Sequence, residues 1–283
     1  MNSILCPTDF SEQASHAVEA GYYLAKKFNA NFHLLHVVES ETQMDFNVGG
    51  ASGMGGRGMD DIFFLELIDV TRKKMNELAN TPELEGISVT SDIKVGNPFK
   101  FIFEEINSGK HDLILMGTKG VSGFKEILIG SNTEKIVRKS PIPVLSVKEY
   151  VAESIFMNIV YASSFNEDEN ELISRIKEIQ EAFGATLHLV RINTPNNFQA
   201  DWTTRRNMEE FVKRFKIRDY TFNIYNDAIE EDGIIYFAEE TDAGMIAMAT
   251  HGRTGFAHLL SGSIAEDVVN HAKRPVYTYN LNK

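Results

Sequence analysis

Hydrophobic positions along the chain fall into short dense runs and longer stretches of helical spacing, and the two alternate. Ile4-Leu5-Cys6 is a short apolar run that predicts a strand, and Thr8 to Ser11 turns the chain. From Ser11 to Phe28, residues Ala14, Ala17, Val18, Gly21, Tyr22, Leu24, Ala25 and Phe28 recur at the spacing of one helix face. Asn31 to Val38 reads as a strand, Asp61 to Ala79 as a helix, Ile87 to Val95 as a strand, and Pro98 to Ile106 as a helix with proline near its start. Residues 112–116 form a buried-strand run, Ser131 to Lys139 is helical, and Val144 to Val147 is a further strand. Strands alternating with helices imply parallel pairing and an α/β fold.

The pattern then repeats. Ile159 to Phe165 matches Ile4 to Phe10 at an offset of 155, and Phe183, Ala185, His188 and Leu189 match Phe28, Ala30, His33 and Leu34. Met248 to Gly252, Gly262 to Glu266 and Pro275-Val276 match Met116 onward, Gly130 onward and Pro143-Val144 at an offset of 132. The first copy therefore carries 23 extra residues between about 38 and 87. The duplication predicts two homologous domains, 1–150 and 151–283.

The chemistry concentrates where strand 113–116 ends. Gly117-Thr118-Lys119-Gly120 is followed by Gly130-Ser131-Asn132-Thr133-Glu134. Ser131 with Glu134 three residues on is a capping-box pattern, so Ser131 is expected as the N-cap. A strand, a glycine loop and a fresh helix N-terminus together make an anion site, because free N–H groups and the helix dipole favour negative charge there. The spacing is neither a P-loop nor the dinucleotide fingerprint.

Composition narrows the class. The chain has 283 residues, 43% hydrophobic and 24% charged, as in globular proteins. A net charge of −12, with 15 basic and 20 acidic residues in 1–150 and 13 and 20 in the remainder, argues against a nucleic-acid-coating surface. The single cysteine, Cys6, excludes an intramolecular disulfide framework and reads as a buried inert thiol. No apolar run reaches 18 residues, and the first residues do not read as a secretory signal, so a cytoplasmic location and no membrane partner are expected. His251, His258 and His271 show no metal spacing, and no nucleophile–base arrangement or Gly-x-Ser-x-Gly elbow is present, so no catalytic residue and no metal ligand is assigned. Trp202 and the Phe and Tyr residues at helical spacing read as core.

The spacing Gly-x2-Gly-x9-Gly-Ser resembles the ATP-binding signature of the universal stress protein family, and both halves resemble its domains over nearly the whole chain. The resemblance implies, for each half, a five-stranded parallel sheet of order 3-2-1-4-5 with helices on both faces. It also implies pairing through the last strand, either between halves or between chains. The expected function is adenine-nucleotide binding, ATP or another, possibly with Mg, in a regulatory or stress role. Weak hydrolysis, an adenylating enzyme and a nucleotide-free scaffold stand as alternatives. Asp9 would accept hydrogen bonds from adenine or ribose, or serve only as a turn residue. Pro7, Thr8, Val37 and Met116 would wall the base, Gly117 and Gly120 would bring backbone N–H groups to ribose and phosphates, and Gly130, Ser131, Asn132 and Thr133 would hold the outer phosphates. Lys119 would add a positive charge, or be a solvated loop residue. In the second half Ser164 replaces Asp9 and Ala249 replaces Gly117, while Gly252, Gly262 and Ser263 are kept. That half is expected to be a degenerate, mostly structural copy. The assembly expected is a monomer with an internal pseudo-two-fold or a dimer of such chains. Glu39 to Met59 holds six glycines and is expected to be either a mobile lid over the nucleotide or an insertion without a role.

Overall fold

The computed structural model describes residues 1–39, 58–118, 130–166, 168–250 and 264–282. The first half contributes β1 (Ser3–Pro7), α1 (Glu12–Phe28), β2 (Asn31–Val38), α2 (Gly58–Ala79), β3 (Ser88–Val95), α3 (Pro98–Asn107), β4 (Leu113–Gly117), α4 (Ser131–Lys139) and β5 (Val144–Val147). The second contributes β6 (Asn158–Ala162), α5 (Asn170–Phe183), β7 (Thr186–Asn193), α6 (Asp201–Phe215), β8 (Tyr220–Asn226), α7 (Glu230–Glu240), β9 (Met245–Thr250), α8 (Ile264–His271) and β10 (Val276–Asn280).

All ten strands form one sheet of order β3-β2-β1-β4-β5-β10-β9-β6-β7-β8. Each half is a parallel sheet of order 3-2-1-4-5, and the halves meet through antiparallel pairing of β5 with β10, Leu145 opposite Tyr277. The last-strand pairing expected from the sequence is thus made inside one chain. The central strands are apolar on both faces because helices cover both, so they read as continuous runs rather than alternations. One buried cluster, including Ile4, Phe32, Leu145, Tyr161 and Tyr277, runs beneath one face across both halves, and a second, including Leu5, Ile114, Ile136, Ile246 and Val268, fills the other. Cys6 is fully buried, and burial pushes its thiol pKa up, which keeps it protonated and inert.

The joint between halves has matched parts. Lys148 Nζ donates to the Asn270 carbonyl near the end of α8, at 2.5 Å, and the Asn280 side chain donates to the Arg138 carbonyl near the end of α4, at 2.8 Å. Lys148 and Asn280 are equivalent positions at the offset of 132. Burial pulls the Lys148 pKa down to about 8. Arg138 also forks onto Glu266, with both bonds at 3.0 Å, tying α4 to α8.

The 23 extra residues lie between 38 and 87, as the offsets predict. The β2–α2 connection has 19 residues against seven between β7 and α6, α2 has 22 residues against 15 in α6, and the α2–β3 connection has eight against four. Two expectations are corrected. Trp202 is not core. It is 68% exposed on α6, beneath the Arg206 guanidinium at 5.7 Å. The N-cap of α4 is Gly130, not Ser131. The capping box does not form, because Glu134 turns along the helix to pair with Arg138.

Candidate functional site

β1 and β4 lie side by side at the centre of the first half, and β2 and β5 flank them. The strand order reverses between β1 and β4, so the connections leaving their carboxyl ends diverge to opposite faces and leave a crevice between them. A cavity of about 840 Å³ occupies that position. It is lined by Pro7, Thr8, Asp9, Val37, Met116, Gly117, Gly130, Ser131, Asn132 and Thr133, so every candidate site residue among the described ones meets there. Lys119 and Gly120 lie outside the described residues, as do Gly252, Gly262, Ser263, His251, His258 and residues 40–57 of the expected lid.

The turn after β1 is built by local hydrogen bonds. Thr8 N–H donates to the Leu35 carbonyl at 2.9 Å, and Phe10 N–H donates to Thr8 Oγ1 at 3.1 Å. Phe10 takes a left-handed φ of 62°, which reverses the chain into α1. Asp9 Oδ1 accepts the Ser11 N–H at 3.0 Å, and Ser11 caps α1 by accepting from Ala14 N–H. Asp9 thus takes part in the turn, while Ser11 and not Asp9 is the helix N-cap. Asp9 is also exposed at the crevice, with its second carboxylate oxygen available to a ligand donor. His36 buttresses this turn. Its Nδ1 lies 2.7 Å from the Thr8 carbonyl and its ring packs against Phe10 in a tilted arrangement, centroids 4.6 Å apart.

The opposite wall is the start of α4. Among the described residues no side chain caps this end, so the first N–H groups of the helix are open to the crevice there. A Cβ built on Gly130 would meet nothing within 4 Å among the described residues, so their packing does not require glycine there. Gly117 is different. A Cβ there would lie 2.4 Å from the Gln13 carbonyl oxygen, so its smallness admits the backbone of α1. Thr118, 2% exposed and lining the crevice, leaves Oγ1 without a hydrogen-bond partner.

The sequence reasoning missed His36, Thr118, Ser11 and Leu67 as lining residues. His36 sits between Leu35 and Val37 in a strand, where a lone histidine carries no spacing signal. Leu67 comes from α2, whose placement over the crevice depends on tertiary packing.

The matching place in the second half is built otherwise. The turn is kept: Phe165 has a φ of 58°, and its N–H donates to Ser163 Oγ at 2.8 Å. Beyond it, among the described residues, polar side chains pair with one another. Arg191, equivalent to His36, donates to the Ser164 carbonyl at 3.2 Å and to the Asn197 carbonyl at 2.9 Å. Asn197 donates on to Glu230 Oε2 at 2.8 Å. Burial raises the Glu230 pKa, with Arg191 opposing, and burial lowers that of Arg191. Glu169, equivalent to crevice-lining Ala14, is buried and accepts from Tyr161 Oη at 2.7 Å and Ser163 Oγ at 2.9 Å. The first turn of α1 has no counterpart, since α5 starts at Asn170, three residues later than the repeat would place it. That leaves room for the Ala249 methyl where Gly117 has none.

Comparison with known proteins agrees with this architecture. A universal stress protein of Synechocystis sp. is 22% identical over 99% of this chain and 100% of its own length. One from Methanocaldococcus jannaschii is 31% identical over 51% of this chain and 93% of its own length. The crystal structure of a universal stress protein from Archaeoglobus fulgidus superposes with a TM-score of 0.77 at 24% identity, covering 99% of this chain and 98% of that one. A sequence model of the Universal stress protein family matches residues 1–148 and 226–280. With a tandem 3-2-1-4-5 sheet and matches spanning the chain, the protein belongs to the universal stress protein family.

Proposed function

We propose that the chain binds one adenine nucleotide, ATP in the first instance, in the first-half crevice, and acts as a regulatory nucleotide-binding protein of the stress response. The observation carrying this reading is the convergence of Asp9, Met116, Thr118 and the uncapped start of α4 on one cavity of about 840 Å³ at the switch point. The base would lie between Pro7, Val37 and Met116, with Asp9 accepting from the adenine or ribose. The phosphates would lie on the N–H groups of Ser131, Asn132 and Thr133, where the helix dipole favours anions. Gly130 fits this reading because the chain itself has no use for a missing side chain there. Among the described residues no group of three acidic, histidine or cysteine side chains could hold a metal. A magnesium ion would thus come held mainly by phosphate oxygens and water, as is usual for that ion. Thr118 Oγ1, buried and without a partner, is the side-chain oxygen nearest in kind to what such an ion or a phosphate uses.

The test is a mass spectrum of small molecules released on denaturing the purified chain, followed by titration calorimetry with ATP. An adenine nucleotide in the released fraction and a stoichiometry of one per chain are expected. No released nucleotide together with no heat on titration at millimolar ATP would leave the scaffold reading in place.

A further inference from the structure

Ile62, Phe63, Leu65 and Val70 of α2 are 48–63% exposed, whereas among the described side chains of this helix only Thr71 and Met75 are buried. Large apolar side chains clustered on an open face mark an interaction surface. The equivalent helix, α6, shows what the same place holds when it faces water: Asp201, Arg205, Arg206 and Glu210 form i,i+4 ion pairs outside, and Met208, Phe211 and Val212 are buried inside. Beside α2 runs β3, which pairs with β2 alone and ends the sheet. Among the described residues no strand pairs with its outer row of N–H and C=O groups. A groove of about 500 Å³ lies between the two elements, lined by Leu65, Ile68, Arg72, Ile93 and Val95.

We propose that this face binds a second copy of the chain, with β3 pairing antiparallel to β3 of the partner about a two-fold axis through Ile93. Three observations favour that occupant. First, the strand is self-complementary in this register. Ile93 meets Ile93, and Asp92 of each copy stands opposite Lys94 of the other, which is a favourable cross-strand charge pair. Shifting the centre to Ser91 or Val95 loses that pairing. Second, the groove beside the strand is apolar. Exposed Leu65 and half-buried Ile68 line it together with Ile93 and exposed Val95, so a copy paired along β3 covers that surface as well. Third, the molecule already closes an edge this way. β5 and β10 join antiparallel across the internal pseudo-two-fold. A self-matching patch gives an isologous dimer, which closes and does not polymerise. The sheet would run through twenty strands, ten from each copy.

Sedimentation velocity on the full chain from 1 to 100 µM tests this. The expected species has twice the mass of the 31.8 kDa chain. Leu65→Asp, at an exposed position, is expected to weaken association at least tenfold without changing the melting temperature. Asp92→Lys and Lys94→Asp are each expected to weaken it several-fold, because like charges then face each other, and the double exchange Asp92→Lys/Lys94→Asp to restore it. A sedimenting monomer at 100 µM would overturn the proposal. So would a dimer indifferent to Leu65→Asp, or one that the double exchange fails to restore while the variant remains folded by circular dichroism. A chain that stays monomeric but pellets with anionic lipid vesicles would assign the apolar helix to membrane surfaces instead, and would equally overturn it.

Discussion

The two crevices of this molecule begin from the same backbone and end as opposites. In both, a strand ends in a hydroxyl residue, Thr8 or Ser163, whose side chain accepts from a phenylalanine N–H in left-handed conformation. After that point the first half leaves its polar groups facing a cavity, and the second turns them on one another. Where His36 supports the turn from below, Arg191 reaches across and ties Ser164 to Asn197, and Glu230 and Glu169 complete the pairing. Seven residues between β7 and α6, against 19 between β2 and α2, bring the connection close enough to be tied. Among the described residues, polar groups that in one half are open to a ligand are in the other satisfied by one another.

The largest effect expected from this contrast concerns Gly130. Its Cβ position is open, so Gly130→Trp folds normally but covers the start of α4, and ATP affinity measured by calorimetry falls at least a hundredfold. Two equivalent sites in the unaltered chain would break the comparison at once. Next comes stability. Gly117→Ala forces a methyl against the Gln13 carbonyl and is expected to cost about 1–3 kcal/mol in urea unfolding. Ala249→Gly, at the equivalent position, removes a tolerated methyl and is expected to cost about 0.5–1 kcal/mol through backbone entropy alone. If the two costs were equal, the difference between the β1–α1 and β6–α5 turns would have no energetic meaning.

Asp9→Ala removes a carboxylate that serves both the turn and the proposed ligand, and a roughly tenfold loss of ATP affinity is expected, about 1.4 kcal/mol. The reverse exchange, Ser164→Asp, is expected to create no second site, because Arg191 and Asn197 still close the space. The smallest effect lies at the joint. The folded-state pKa of Lys148 is about 8, below its unfolded value of 10.5, so between those values the unfolded chain binds more protons. Stability from this group therefore rises with pH across that window. The unfolding free energy of the native chain relative to Lys148→Met is expected to improve from pH 8 to 10.5, and a flat difference would mean that the amine is solvated.

Much of this was legible in the residues, and for identifiable reasons. Buried parallel strands announce themselves as dense apolar runs, so β2 and β5 were readable to the residue, and the repeat of Ile4 to Phe10 at Ile159 to Phe165 exposed the tandem plan. The convergence of Asp9 with Gly130 to Thr133 followed only from the strand order that the family resemblance implies, a property of the whole sheet. What stayed hidden depends on contacts between distant segments. Gly117 carried a motif reading, and nothing local showed that its missing side chain also admits the backbone of α1. Ser131 carried a capping pattern, but Arg138 drew Glu134 away along the helix. Arg191 looked like one polar position in a strand, and nothing local marks it as the clasp of a closed crevice.

The joint between halves carries a consequence for how such a protein can change. In a dimer of identical chains, one codon writes both sides of the symmetric contact, so a lysine at position 148 would appear twice. Two buried ammonium groups would then be desolvated near one another. Here the matching place is Asn280, which makes the same bond to the opposite helix without a charge. Fusion uncouples the two sides, and each can be revised singly. The same freedom explains how one crevice could be closed by substitution after substitution while its twin stayed open.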